Sequence, residues 1–256
     1  LEFMTFRVRG HEEASGTKYV PKELLHSWHL KDPLENYTAF LRDENILTDE
    51  IEAVCKQVIM KEINDGLEIA SAEPAIESSV SEELSDVFQV FNYKEVKEND
   101  NREKIRLIDA ISEGLKQSMQ RHDNLILMGQ DIAEYGGVFK VTDGFFEEFG
   151  EARVRNTPIC ESAIVSAAMG LSINGYKTMM EMQFSDFATS GFNPIVNLLA
   201  KSNYRWNQKA DVVIRMPCGA GVGAGPFHSQ TNEAWFTHTP GLKVVYPAFP
   251  YDAKGL

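Results

Sequence analysis

The chain has 256 residues, of which 43% are hydrophobic and 25% charged, a balance that suits one or two globular domains with a sizeable core. Its net charge of −13 argues against nucleic acid and anionic membranes as partners, because there is no basic excess to neutralise phosphates. The three cysteines, Cys55, Cys160 and Cys218, are too scattered for a disulfide framework and read as reduced thiols in a cytoplasmic protein.

No signal peptide is visible, and no apolar run reaches the roughly 18 residues of a bilayer span. The opening residues, Leu1 to Val8, alternate like a strand, and the close, Tyr251 to Leu256, reads as the first turn of a helix. Both ends therefore read as cuts through structure, and the expectation is a fragment of a longer chain. Residues 10–21 form a polar loop rich in turn residues. Helical pieces follow around Leu24, Leu25 and Trp28, then around Tyr37, Phe40 and Leu41. The clearest helix starts after Thr48, an N-cap with Asp49 and Glu50 in the first turn. Ile51, Val54, Cys55, Val58, Ile59 and Ile63 fall on one face of it.

From Glu73 to about Glu103 the composition turns to Glu, Ser, Asn, Lys and Asp, a solvated connector. The run Val87–Tyr93 is too aromatic to stay exposed and is expected to lie against a neighbouring surface. Beyond Lys104, helical and strand patterns alternate: a helix through Ile105 to Leu115, a strand at Leu125–Gly129, and an Ala-rich helix from about Glu161. A strand at Lys177–Phe184, a helix over Phe187–Asn203, and strands at Asp211–Met216 and Lys243–Tyr246 complete it. The fold class is α/β with a mostly parallel sheet, preceded by a helical segment.

Gly219, Gly221, Gly223 and Gly225 follow a strand but match a dinucleotide loop poorly, and no acidic residue ends the next strand. No P-loop, serine elbow or zinc-ligand spacing is present. Two segments carry more information. Pro158 stops regular structure just before the Ala-rich helix and leaves Glu161 at its N-terminus, where the helix dipole alone favours a carboxylate. His228 lies in the glycine-rich loop beyond a strand's carboxyl end, where α/β sheets place ligands. His11 sits on a loop long enough to act as a lid. Each has a bland alternative: a dipole-stabilised carboxylate, a hydrogen-bonded structural histidine, a loop residue.

Taken together, the order and spacing of these pieces resemble a known family. From Ile105 to Leu256, the runs Gly129-Gln130-Asp131-Ile132-Ala133, Gly136-Gly137-Val138-Phe139-Lys140-Val141-Thr142 and Thr157-Pro158-Ile159-Cys160-Glu161 resemble the beta subunit of the decarboxylating component of 2-oxoacid dehydrogenase complexes. So do Glu181-Met182-Gln183-Phe184, His228-Ser229-Gln230 and Pro240–Pro247. Residues 1–92 resemble the C-terminal tail of the alpha subunit, through Thr5-Phe6-Arg7, Gly10-His11, Tyr19 and Asp32-Pro33. The resemblance implies a fused alpha–beta enzyme: an alpha-like tail over 1–92, a linker over 93–103, and a transketolase-like pyrimidine-binding domain over 104–256.

The same resemblance implies thiamine diphosphate as cofactor, with Mg²⁺ and the pyrophosphate held by an alpha portion outside these residues. By resemblance Glu161 hydrogen-bonds N1′ of the aminopyrimidine, so that the 4′-amino group can take the thiazolium C2 proton. Gln183 and Phe187 match positions lining the pyrimidine. His228 and His11 match histidines that assist acyl transfer to the lipoyl arm of a partner acyltransferase. The implied substrate is a 2-oxoacid, with the Gln183–Phe187 run leaning toward branched-chain over pyruvate. The implied assembly is a homodimer of the fused chain. Glu12 stands where many relatives carry a regulatory serine, and Val20 where the loop arginine is usual. Alternatives are another thiamine enzyme, of the transketolase or deoxyxylulose-phosphate synthase type, and a noncatalytic assembly module on the same fold.

Overall fold

The computed structural model describes residues 2–10, 12, 14, 16–92, 95, 97 and 101–256, and divides into two units, Leu1–Glu77 and Ser78–Leu256. In the first unit three helices follow one another: α1 (Lys22–His29), α2 (Pro33–Asp43) and α3 (Asp49–Ala72). Local chemistry sets their ends. Asp32 accepts hydrogen bonds from the backbone N–H of Leu34 and Glu35 at 2.9 and 3.2 Å, with Pro33 in the first turn of α2. Thr48 Oγ1 accepts from Ile51 N at 3.3 Å and caps α3. None of the residues of these helices is buried, so the apolar stripe of α3 stands exposed, Val54 at 59% and Val58 at 52%.

The expected opening strand is not formed among the described residues 2–8. A strand needs a pairing edge. Phe6 instead stacks on Trp28 of α1, ring centroids 5.5 Å apart.

The second unit begins with α4 (Val80–Asp86), started by a reciprocal capping box between Ser79 and Glu82 inside the stretch expected to be connector. It continues with α5 (Leu107–Arg121), β1 (Leu125–Gly129), α6 (Phe145–Phe149), β2 (Val154–Asn156), α7 (Glu161–Ile173) and β3 (Lys177–Glu181). Then come α8 (Ser202–Trp206), β4 (Val212–Arg215), α9 (Glu233–Thr237) and α10 (Pro250–Gly255). The strands form one parallel sheet in the order β2-β1-β3-β4.

Alternation along the strands builds two cores. Ile126, Met128 and Met180 pack with Ile164, Val165 and Ala168 of α7, while Leu125, Leu127 and Met179 meet Met119 of α5 and Phe145 of α6 on the other face. All of β1 is buried, as expected for a central parallel strand.

Three further expectations need correction. The Phe187–Asn203 helix is broken into a 3₁₀ turn (Ser185–Thr189), a π-helical turn (Pro194–Leu199) and α8. Pro194 has no N–H to give the ladder, and Gly191 is packed so closely that a Cβ there would lie 3.0 Å from Met182 Cε. Lys243–Tyr246 forms no strand and its side chains are exposed, despite their β-branched character. Pro240 and Pro247 bracket the run and withhold ladder donors at both ends. Val90 and Phe91, expected to be covered, are 88% and 72% exposed.

Candidate active site

One row of paired residues crosses the carboxyl edge of the sheet: Asn156 opposite Gly129, Gly129 opposite Glu181, Glu181 opposite Arg215. Every candidate residue of the second unit leaves from this edge. Gln130 and Asp131 follow β1, Glu161 follows β2 by a short turn, Gln183 and Phe187 follow β3, and His228 follows β4. Parallel α/β sheets present their ligand sites at this edge, because all the strand-to-helix turns converge there.

Glu161 is the first residue of α7 and is only 8% exposed. Cys160 precedes it in a non-helical conformation without capping α7 by its side chain. Among the described residues, the Glu161 side chain is hydrogen-bonded through Gln130, whose Nε2 donates to Oε1 at 3.2 Å. The next residue, Asp131, holds Gln183: Gln183 Nε2 donates to Asp131 Oδ2 at 3.2 Å. Asp131 adopts a left-handed backbone with φ 58°, a conformation that aspartate tolerates better than most residues. Its carbonyl accepts from Gly137 N at 2.8 Å, and Thr142 Oγ1 donates to the Ile132 carbonyl at 2.6 Å, closing the loop on itself. Two consecutive residues of one loop thus brace Glu161 and Gln183.

Behind that loop lies an ion pair absent from the candidates drawn from sequence. Glu181, 3% exposed, receives a close hydrogen bond from Arg215 Nη1 on the neighbouring strand. Burial pushes the Glu181 carboxyl above its ordinary value, against the pull of the Arg215 guanidinium. Gly137, at φ +78°, comes so close that a Cβ would lie 3.4 Å from Glu181 Oε1. Arg215, a charged residue ending the otherwise apolar strand β4, was the available signal.

The third cluster is aromatic. The His228 ring lies edge-on to Phe184 and Phe187, centroids 5.0 and 5.4 Å away, and Phe139 meets Phe184 at 5.7 Å. Between those phenylalanines, Ser185 and Asp186 are buried and bonded to the His228 loop: Ser185 Oγ donates to the Gln230 carbonyl at 3.1 Å, and Gln230 Nε2 donates to Asp186 Oδ1 at 2.9 Å. The structure therefore links Glu161 to Gln130, Gln183 to Asp131, and Phe187 to His228. His11 lies outside the described residues. Among the described residues no group of three His, Cys, Asp or Glu side chains is arranged to hold a metal ion.

A fixed carboxylate, an amide and an aromatic face are the donor set that recognises a planar nitrogen heterocycle. Residues 103–256 match the transketolase pyrimidine-binding domain, and residues 1–79 match the dehydrogenase E1 component. The chain belongs to the transketolase pyrimidine-binding domain family. The dehydrogenase E1 match lies ahead of that domain on the same chain.

The 2-oxoisovalerate dehydrogenase subunit beta of Bacillus subtilis (strain 168) is 45% identical over 151 residues, 58% of this chain and 46% of its own length. The pyruvate dehydrogenase E1 component subunit beta of Acholeplasma laidlawii is 43% identical over 154 residues, 59% of this chain and 47% of its own. The mitochondrial 2-oxoisovalerate dehydrogenase subunit beta of Dictyostelium discoideum is 41% identical over 165 residues, 63% of this chain and 44% of its own. The chain thus spans less than half the length of these curated relatives. A split-gene transketolase solved as an inactive β4 tetramer is similar at 20% identity and a TM-score of 0.45, over 58% of this chain and 45% of that one.

Proposed function

We propose that this chain supplies the pyrimidine-gripping half of a thiamine-diphosphate-dependent 2-oxoacid dehydrogenase, acting with a lipoyl-bearing acyltransferase. The observation that carries the reading is Glu161: a buried carboxylate opening α7, its rotation fixed by Gln130. When bound, the cofactor supplies an electron-accepting thiazolium that makes loss of carbon dioxide from a 2-oxoacid feasible.

The chain's own residues do the rest. Glu161 holds a proton at the ring nitrogen N1′, which a carboxylate pointed along one direction does better than a rotating one. Gln183, tethered to Asp131, and Phe187 orient the ring. His228, perpendicular to the rings of Phe184 and Phe187, supplies a proton and stabilises charge during acyl transfer. His11 takes the corresponding role from the alpha-like loop. Mg²⁺ and the pyrophosphate belong to an alpha portion outside these residues, and the alpha-like tail (1–92), linker (93–103) and pyrimidine-binding domain (104–256) act within a homodimer of the fused chain. Branched-chain 2-oxoacids are preferred over pyruvate, on the strength of the Gln183-Phe184-Ser185-Asp186-Phe187 run.

The test is turnover of pyruvate and 3-methyl-2-oxobutanoate by the complete E1 assembly with thiamine diphosphate, magnesium and an artificial electron acceptor, beside Glu161→Gln. The expected result is turnover that the variant lowers about 100-fold or more, as loss of an acid–base group does. Absence of turnover on both acids overturns the proposal.

A further inference from the structure

The glycine-rich stretch that leads to His228 has little packing of its own. Residues 220–227 are exposed. Gly219, Gly223 and Gly225 all have positive φ (117°, 66° and 81°), yet a Cβ at any of them would meet nothing within 4 Å. These glycines supply unusual backbone angles and leave the loop with few side-chain contacts to hold it. Besides the contacts of the His228 ring, what holds it is a set of polar attachments at the far end.

Those attachments converge on the segment after β3. Asp186 is 7% exposed, and its Oδ1 accepts both the Gln230 backbone N–H, at 3.4 Å, and Gln230 Nε2, at 2.9 Å. Gln230 Nε2 also donates to the Pro226 carbonyl at 2.7 Å, spanning the loop from within. The Gln230 carbonyl accepts from Ser185 Oγ at 3.1 Å and from Gly219 N at 3.2 Å, tying the two ends of the loop together. Asn232 Nδ2 adds a bond to the Ser185 carbonyl at 3.2 Å. Asp186 Oδ2, by contrast, is buried without a partner among the described residues. A buried carboxylate with one idle oxygen is costly, and the bonds from Gln230 to the other oxygen are what offsets that cost among the described residues. Phe184 and Phe187, flanking this pair of polar residues, contact the His228 ring.

We propose that Asp186 is a positioning residue: through Gln230 it fixes the loop so that the His228 ring stays against Phe184 and Phe187. The consequence for catalysis rests on the reading of His228 as an acyl-transfer residue. Asp186 touches neither substrate nor cofactor in this proposal. It acts through Gln230.

The experiment compares Asp186→Ala, Asp186→Asn and Gln230→Ala with the unchanged chain and with His228→Ala. Amide hydrogen exchange at Gly219 and Gln230 and the NMR signals of the His228 ring are read on the 256-residue chain without cofactor. Reductive acylation of a lipoyl domain is read on the complete E1 assembly. Asp186→Ala and Gln230→Ala are expected to speed exchange at both amides about tenfold, the scale of one charge-assisted hydrogen bond, and to move the His228 signals toward those of a free ring. Asp186→Asn keeps an acceptor at Oδ1 and is expected to restore both. Acylation is expected to slow in the first two variants, as in His228→Ala, and to recover in Asp186→Asn. Should Asp186→Ala not fold, Gln230→Ala, a change at an exposed position, carries the same readouts.

Unaltered exchange and an unaltered His228 ring in Gln230→Ala overturn the proposal. So does a loosened loop with acylation intact while His228→Ala slows it. If His228→Ala leaves acylation intact but the loop loosens and the ring moves, the positioning role stands and the acyl-transfer reading of His228 falls.

Discussion

Gln130 Nε2 donates to Glu161 Oε1 at 3.2 Å, joining the loop after β1 to the first residue of α7 across 31 positions of sequence. Removing this brace by Gln130→Ala leaves the carboxylate in place but free to rotate. A hydrogen bond of this kind contributes about 0.5–1.5 kcal/mol, so kcat of the complete assembly is expected to fall roughly 2- to 12-fold with KM little changed. A loss as large as that of Glu161→Gln would mean that Gln130 itself takes part in the proton transfer.

The Glu181–Arg215 pair gives a pH signature. Because burial raises the folded Glu181 pKa above its ordinary value of 4.5, the folded state binds the proton more tightly than the unfolded state does. The stability this contributes is present in full below the ordinary value and is lost as pH rises through the raised one. Urea unfolding of the unchanged chain and of Glu181→Gln, at steps from pH 4.5 upward, is expected to show a more negative slope of stability against pH for the unchanged chain. Parallel slopes would remove the shift.

Gly241 has φ +93°, and a Cβ there would fall 1.9 Å from the Ala200 carbonyl oxygen. Gly241→Ala therefore meets both a backbone penalty and a clash with backbone that cannot rotate away. The expected cost is about 2–4 kcal/mol, read as a lowered urea midpoint by tryptophan fluorescence. By contrast Gly175→Ala, with φ +88° but nothing within 4 Å of a Cβ, tests the backbone term alone and is expected to cost less.

Thr48 is the sole side-chain cap on the amide of Ile51 among the described residues. Since no residue of α3 is buried, its N-terminal turn depends on that cap more than a packed helix would. Thr48→Ala is expected to cost about 0.5–2 kcal/mol locally, seen as faster amide exchange in the first turn of α3 while β1 keeps its protection.

Much of this chain was legible before any coordinates. Pro158 ahead of an Ala-rich run placed the start of α7 at Glu161, Thr48 placed the start of α3, and the strands expected at Leu125–Gly129 and Lys177–Phe184 form, the second ending early at Glu181. These are local matters: a missing N–H, a hydroxyl within reach of the first helical amides, a side-chain period. The same local rules misread residues 2–8 and Lys243–Tyr246, because a strand also requires a partner edge that no short window of sequence contains. They read Phe187–Asn203 as one helix, where close packing at Gly191 and the missing donor of Pro194 break it.

The contacts that build the site were decided only in three dimensions. Gln130 with Glu161, Asp131 with Gln183, Glu181 with Arg215 and Asp186 with Gln230 are separated by 31, 52, 34 and 44 positions. Nothing in their spacing pairs them. They meet because the strand order β2-β1-β3-β4 sets Asn156, Gly129, Glu181 and Arg215 in one row, and the turns beyond that row have a common edge on which to converge. Sequence chose the chemical groups and the local stops and starts; the register of a parallel sheet, fixed by which faces must be buried, chose which groups touch.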